Sequence, residues 1–398
     1  MIYILLVTFA MLVTYYEKKH FKTLMSPTTL MIWPFVAVIA INLSIGKDYG
    51  FQIITDSSIG IILIGIFSFF IGELLCIALF QKYERAYTIS KVVFSDKFFR
   101  NSFRYFVFVV CFIALKYIFV MKSIGLLNYF ATDGGSGIIT KGLSIHLILS
   151  VFPLVPILFE RSITERDYKK LIIILGFLVE VFLTYTKYHA IILVVATLFY
   201  FVSLRPKAIP VVFVALICIP IFLFGINYYL NFNANGNTLQ SEYLIKHLLN
   251  YICGGVTYTS IDVNFVIDAS FFDLAMSMVT PFFNLFLNGL FGIQIFPAIE
   301  IPYILIALGE RGNVINFITL MFTTNTPFWG VVFFLLFGFI INKTIGSKRS
   351  NQMLRVYVLT IVFLSFFSAY WQLIIPWEIF FWSIVMNKLS KVRIIIRS

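Results

Sequence analysis

Residues 54–81 read ITDSSIGIILIGIFSFFIGELLCIALFQ, and the positions between Asp56 and Glu73 carry no charge. Such a stretch is a bilayer-spanning helix, because in hydrocarbon only a helix of roughly 20 apolar residues satisfies its own backbone hydrogen bonds from one interface to the other. The 398-residue chain is built the same way throughout: 60% is hydrophobic, 12% is charged, and the mean hydropathy is +0.96. A soluble domain must present a solvated surface, and this composition supplies too little polar material for one. The sequence predicts an all-α integral membrane protein.

Working outward from this stretch, further apolar runs fall near 2–16, 27–44, 102–122, 143–159, 170–186, 188–204, 209–230, 326–342, 354–372 and 374–388. The expectation is a polytopic bundle of about eleven transmembrane helices, eight in residues 1–230 and three in 326–398, with a large outer loop at 231–325 between them. The first run has neither a basic n-region nor a small-residue cleavage site, so it reads as a short span and not as a signal peptide. Cys76, Cys111, Cys218 and Cys253 show neither metal-ligand nor disulfide spacing.

The net charge of +12 does not form a nucleic-acid face, because Lys and Arg lie in short segments between apolar runs. They read as topology signals. If the first span runs from outside to inside, the groups around Lys18–Lys22, Lys82–Arg104, Arg161–Lys170, Arg205–Lys207, Lys343–Arg355 and Lys388–Arg397 all become cytoplasmic. The positive-inside bias then places the N-terminus and 231–325 outside and the C-terminus inside. This ledger depends on a hairpin at Thr186-Lys187-Tyr188 that splits 170–204 into two spans.

The outer segment is too apolar for a solvated linker. Leu239, Tyr243, Leu244, Leu248, Leu249 and Ile252 recur at near-helical spacing and predict an amphipathic interfacial helix, with a second through 261–276 that carries Asp262, Asp268 and Asp273. Pro281–Pro297 is broken by Asn284, Asn288, Gly289, Gly292 and Gln294, so it reads either as a re-entrant segment or as a span. Two spans in this loop would bring the total to thirteen.

Ionisable groups inside spans persist mainly where they face a bundle interior, a water-filled cavity or a partner charge. Lys116, His146, Glu180 and Glu378 fall in the outer halves of their helices, with Lys187 and His189 at the outer hairpin. Glu180, Thr184 and Lys187, spaced i, i+4 and i+7, would form one polar face rising to the outer surface. Glu180 alternatively pairs with Lys116 or Lys187 to hold helices together, and Lys187 alternatively snorkels to the interface. Glu73 reads as a structural hydrogen-bonding group. Arg311 lies in Gly309-Glu310-Arg311-Gly312-Asn313, a flexible charged segment where a guanidinium suits bidentate capture of phosphate, or a plain loop salt bridge with Glu310. Trp371 and Trp377 fit an interfacial belt. There is no Walker motif, HExxH, GxSxG, paired CxxC or DxD in a convincing context, and no metal or cofactor site is indicated.

Several short motifs carry a resemblance: Ser26-Pro27-Thr28-Thr29-Leu30, Phe67-Ser68-Phe69-Phe70-Ile71-Gly72, Thr186-Lys187-Tyr188-His189, Tyr251-Ile252-Cys253-Gly254-Gly255, Asn313-Val314-Ile315-Asn316-Phe317 and Phe328-Trp329-Gly330. In this layout the chain resembles the bacterial oligosaccharide repeat-unit polymerases, the O-antigen polymerase or Wzy family. Where members carry Arg in a Gly-Ser-Arg-like turn, this chain has Lys187 without the glycine.

The resemblance implies a GT-C-like fold in the bacterial inner membrane. It also implies a metal-independent glycosyltransferase that moves a growing glycan from undecaprenyl diphosphate to the non-reducing end of a new undecaprenyl-diphosphate-linked repeat unit. Arg311, Lys187 and Lys116 would stabilise the diphosphate leaving group as its charge develops. His189, Glu310, Asp262 and Glu180 stand as alternatives for the general base. Implied partners are the lipid-linked repeat units, membrane lipid and a chain-length regulator, with no nucleic acid. An O-antigen ligase shares most of these features. A lipid-linked oligosaccharide flippase fits less well, because no internal repeat divides the chain.

Overall fold

The structure is a computed structural model that describes residues 1–80, 95–125, 142–184, 188–211, 241–260, 270–301, 303–307, 310–312, 315–322, 327–346 and 351–391, with a few isolated positions besides. The described helices are α1 (Ile2–Phe21), α2 (Pro27–Ile41), α3 (Asp56–Leu79), α4 (Asp96–Ile124), α5 (Leu143–Val151), α6 (Val155–Glu165), α7 (Tyr168–Leu183) and α8 (Tyr188–Leu204). After them come α9 (Ser241–Ser260), α10 (Phe271–Val279), α11 (Pro281–Phe291), α12 (Phe317–Phe322), α13 (Pro327–Gly346), α14 (Gln352–Phe363) and α15 (Ile374–Lys391). A two-stranded antiparallel hairpin, β1 (Ile304–Ala307) and β2 (Glu310–Gly312), departs from the all-α expectation.

Local chemistry sets the helix starts. Ser26 and Pro27 open α2, Thr55 and Ser95 accept from backbone amides at the heads of α3 and α4, and Asp167 accepts from Lys170 N at the head of α7. The Lys170 side chain and amide also hold the Asp167 carboxyl below its ordinary range.

The span count is corrected by helix length. Among the described residues five helices are long and apolar enough to cross a membrane: Pro27–Gly46, Asp56–Leu79, Asp96–Ile124, Leu143–Glu165 and Pro327–Gly346. The pair α10–α11, bent by 65°, makes a sixth if it is one broken span. Neither eleven nor thirteen spans stands. Helices α7 and α8 have 16 and 17 residues, α14 has 12 before a 3₁₀ turn, α1 ends in Glu17-Lys18-Lys19, and α15 carries Glu378. Most of 209–230 lies outside the described residues. What holds is a polytopic, mainly helical membrane protein.

Two compact units interleave along the chain. The first combines Met1–Thr88, Ile245–Ser350 and Val358–Trp377. Its most extensive seam joins α3 to α13, where Gly72 lies against the Leu335 carbonyl and Gly338 against the Phe69 carbonyl. Without side chains at these positions the two backbones touch, the usual route to tight packing in a medium where apolar burial gives no drive between helices. Gly65 of α3 is similarly covered by Ile318 of α12.

At one end of this unit two fully buried carboxyls, Glu17 of α1 and Glu73 of α3, adjoin. Ser26 Oγ and Thr29 N donate to Glu17 at 2.6 and 2.9 Å, joined by the Thr29 hydroxyl, and Thr28 Oγ1 donates to Glu73 at 2.6 Å. The structural reading of Glu73 therefore holds.

Asn316 forms the second polar node. Its Nδ2 donates to the Gly255 carbonyl at 2.9 Å and to Thr319 Oγ1 at 2.8 Å, while its Oδ1 caps α12 by accepting from Thr319 N at 2.9 Å. Asn316→Ala removes the α12 cap and one of the two hydrogen bonds from Asn316 to the Gly255 carbonyl, so it is expected to destabilise by about 1–2 kcal/mol. A melt of the detergent-solubilised protein checks this; a midpoint unchanged from the parent would contradict it.

The second unit combines Ile89–Leu244, Asn351–Tyr357 and Glu378–Ser398. Helix α7 stops at Leu183 and α8 begins at Tyr188, and the two pack together; the turn expected at Thr186-Lys187 lies outside the described residues. Phe177 meets Phe106 and Phe152 at ring distances of 5.2 and 6.4 Å, and Tyr357 Oη donates to the Phe152 carbonyl at 2.6 Å.

Candidate functional site

The C-terminal ends of α4 and α7 and the starts of α5, α8 and α15 bring polar groups to one end of the second unit. Lys116 Nζ donates to Ser144 Oγ across α4 and α5. His146, also on α5, meets Glu378 of α15 at 2.9 Å, and Trp382 Nε1 donates to the same carboxylate at 3.2 Å. Tyr117 Oη donates to the Glu180 carbonyl at 2.7 Å, and Tyr129 Oη to the Leu183 carbonyl at 2.9 Å. These two tyrosines close the free carbonyl end of α7. In a sequence with 21 Tyr nothing marks these two, and neither sits in a motif.

His189 is almost wholly buried at the start of α8, and neither ring nitrogen has a hydrogen-bond partner among the described residues. A buried imidazole without partners is uncommon, since buried polar groups are normally satisfied. Glu180 also leaves one buried carboxylate oxygen without a partner, and no described cation pairs with it. The expected face running from Glu180 through Thr184 to Lys187 does not form. Helix α7 ends at Leu183, and Thr184 is extended with its hydroxyl turned back to the Val181 carbonyl at 2.5 Å. Lys187 lies outside the described residues.

The remaining candidates belong to the first unit. Glu310 and Arg311 occupy β2, where Arg311 pairs with Leu305 and Glu310 with Ala307 across a bulge. The segment expected to be a flexible loop is thus a hairpin, and Gln52 N donating to the Ile306 carbonyl at 3.1 Å ties it to the turn after α2. Ile306 and Ala307 are buried, which explains why the hairpin is ordered. Asp262 lies outside the described residues.

The segment 231–325 also contains the bent pair α10–α11. Thr280 Oγ1 donates to the Met276 carbonyl at the bend. Asn284 then clamps the returning chain, its Nδ2 donating to the Ile295 carbonyl and its Oδ1 accepting from Ile295 N, both at 2.9 Å. Gln372 Nε2 donates to Ser277 Oγ at 2.8 Å and docks α10 into the unit. Trp371, expected in an interfacial belt, is instead buried, with its ring 5.0 Å from Phe337.

No family model, curated protein or solved structure matches the chain. Its functional reading rests on the residues alone. Among the described residues no group of His, Cys, Asp and Glu has a metal-binding arrangement. The second unit offers an ammonium, an imidazole–carboxylate pair and an unpartnered imidazole at one end of an apolar body. Those groups can bind an anion and move a proton.

Proposed function

We propose that this protein is a lipid-linked-donor glycosyltransferase, a polysaccharide polymerase that transfers a growing glycan from undecaprenyl diphosphate to a new lipid-linked repeat unit at the outer face of the inner membrane. The observation that carries the reading is the polar end of the second unit, where Lys116, the His146–Glu378 pair and His189 gather at the end of the helices opposite Arg100, Arg161 and Lys170. Charged and imidazole side chains are expensive at membrane depth, and they are kept where a polar substrate is handled.

A diphosphate leaving group needs cations as its charge develops, and an acceptor hydroxyl needs a base. Within the second unit Lys116 and Lys187 would fill the first role and His189 or Glu180 the second; Arg311, with Glu310 or Asp262, is the alternative set carried by the first unit. A chain-length regulator would act on this enzyme from outside its chemistry.

The test is the lipopolysaccharide banding pattern of a deletion strain with and without the restored gene. The reading predicts that a long ladder collapses to core plus one repeat unit and returns on complementation. Loss of all glycan from the core would shift the assignment to a ligase or flippase, and an unchanged ladder would remove it.

A further inference from the structure

The second unit has a different character at its other end. The first turns of α4, the second half of α6 and the first turn of α7 line an open pocket of about 450 Å³ formed by Asp96, Phe99, Arg100, Phe103, Arg104, Arg161 and Lys170. Arg161 lies on the Phe99 ring at 3.8 Å, and Lys170 sits 5.8 and 5.7 Å from the Phe99 and Phe103 rings. Carboxylates hold both in place: Arg161 Nε meets Glu165 at 2.5 Å, and Lys170 Nζ meets Asp167 at 2.8 Å. Arg100 and Arg104, one turn apart on α4, make no ion pair among the described residues.

A solvated basic face would satisfy the topological charge bias and nothing more. Here, however, the cations line a pocket, are braced by aromatic rings and adjoin an exposed apolar surface. On α4 the face of Arg100 and Arg104 continues through Phe108, Phe112, Leu115 and Phe119, each between 36% and 73% exposed. Beside it on α7, which packs against α4, Tyr168, Ile172, Leu175 and Val179 are 47–69% exposed. From Arg104 to Phe119 the α4 stripe rises roughly 22 Å at 1.5 Å per residue, enough for an acyl chain in one leaflet.

We infer that this cavity binds the phosphate headgroup of an anionic membrane phospholipid, with its acyl chains along the exposed stripes of α4 and α7. Arg100 and Arg104 supply forked donors for the phosphate oxygens, and the braced Arg161 and Lys170 form the opposite wall. A basic pocket between helices at headgroup level is the general form of such a site. The inference is independent of the proposed glycosyl transfer at the opposite end.

The test uses the full-length protein in neutral detergent, with binding followed by native mass spectrometry and by thermal melting. Added phosphatidylglycerol is expected to bind and raise the melting midpoint, while phosphatidylcholine is not. Arg100→Gln/Arg104→Gln should weaken phosphatidylglycerol binding by at least about tenfold, and Arg100→Lys/Arg104→Lys by less. Lys97→Gln/Lys169→Gln, outside the lining, should bind as the parent does. Equal binding of phosphatidylcholine, parent-like binding by the Gln pair, or equal stabilisation by inorganic phosphate would each overturn the assignment, the last by showing a soluble ligand. If the Gln pair does not fold, the Lys pair decides: unchanged phosphatidylglycerol affinity in it overturns the bidentate site.

Discussion

Gly72→Leu and Gly338→Leu are expected to leave no monodisperse protein after extraction, and Gly72→Ala to destabilise by about 2–3 kcal/mol. The reason is backbone contact: a Cβ at 72 would overlap the Leu335 carbonyl and one at 338 the Phe69 carbonyl, so neither clash can be relieved by a rotamer change. Helices α3 and α13 would have to part along their seam. Because lipid tails are as apolar as the residues exposed, nothing drives them back except the close packing just lost. Gly60, whose Cβ would meet nothing within 4 Å, is the control. Heating followed by size-exclusion chromatography reads the outcome, and a Gly72→Ala midpoint equal to that of Gly60→Ala would refute the contact.

The second large effect concerns the proposed transfer. Arg311→Ala should lower chain extension by about two to three orders of magnitude, the usual size of the loss when one preorganised donor to a developing negative charge is removed. Arg311→Lys keeps a charge but not the planar fork, so it should recover only part of that loss. The readout is polymer formed from labelled lipid-linked repeat units in proteoliposomes holding equal amounts of each variant. Since Arg311 is paired with Leu305 in a hairpin tied to the α2 turn, a folding defect would appear separately, as an altered melt. Normal chain lengths with both variants would end the assignment of a phosphate-binding role to Arg311.

The membrane class was legible because hydropathy is a bulk property that any window of residues reports. Span length was not. Whether 170–186 and 188–204 fill a bilayer depends on where α7 and α8 stop, and Thr184 ends α7 through its own backbone geometry and a hydroxyl bond to Val181. The hairpin at 304–312 is hidden in the sequence because Gly309 and Gly312 look like loop punctuation, and the four apolar residues Ile304–Ala307, three of them buried, carry no alternation that marks a strand.

The sequence displays which residues of the apolar runs are polar, but not what they touch. His146 and Glu378 are 232 positions apart, and no local pattern links them. The motifs behind the family resemblance turn up largely as packing nodes: Ser26, Thr28 and Thr29 on the carboxyl pair, Gly72 on α13, and Gly255 against Asn316.

The Glu17–Glu73 cluster has a mechanical consequence. An apolar helix lying on other apolar helices can slide along its axis with little change in contact energy, since one methyl resembles the next. Helix α1 cannot, because a shift of a single turn, about 5.4 Å, would carry Glu17 away from Ser26 and Thr29 together. At about 0.6–2 kcal/mol for each hydrogen bond in such surroundings, the cluster works as a detent: smooth sliding becomes one engaged position with steep sides. Helix α1 therefore has a stop built into its C-terminal third, and Ser26 and Thr29 at the head of α2 engage it.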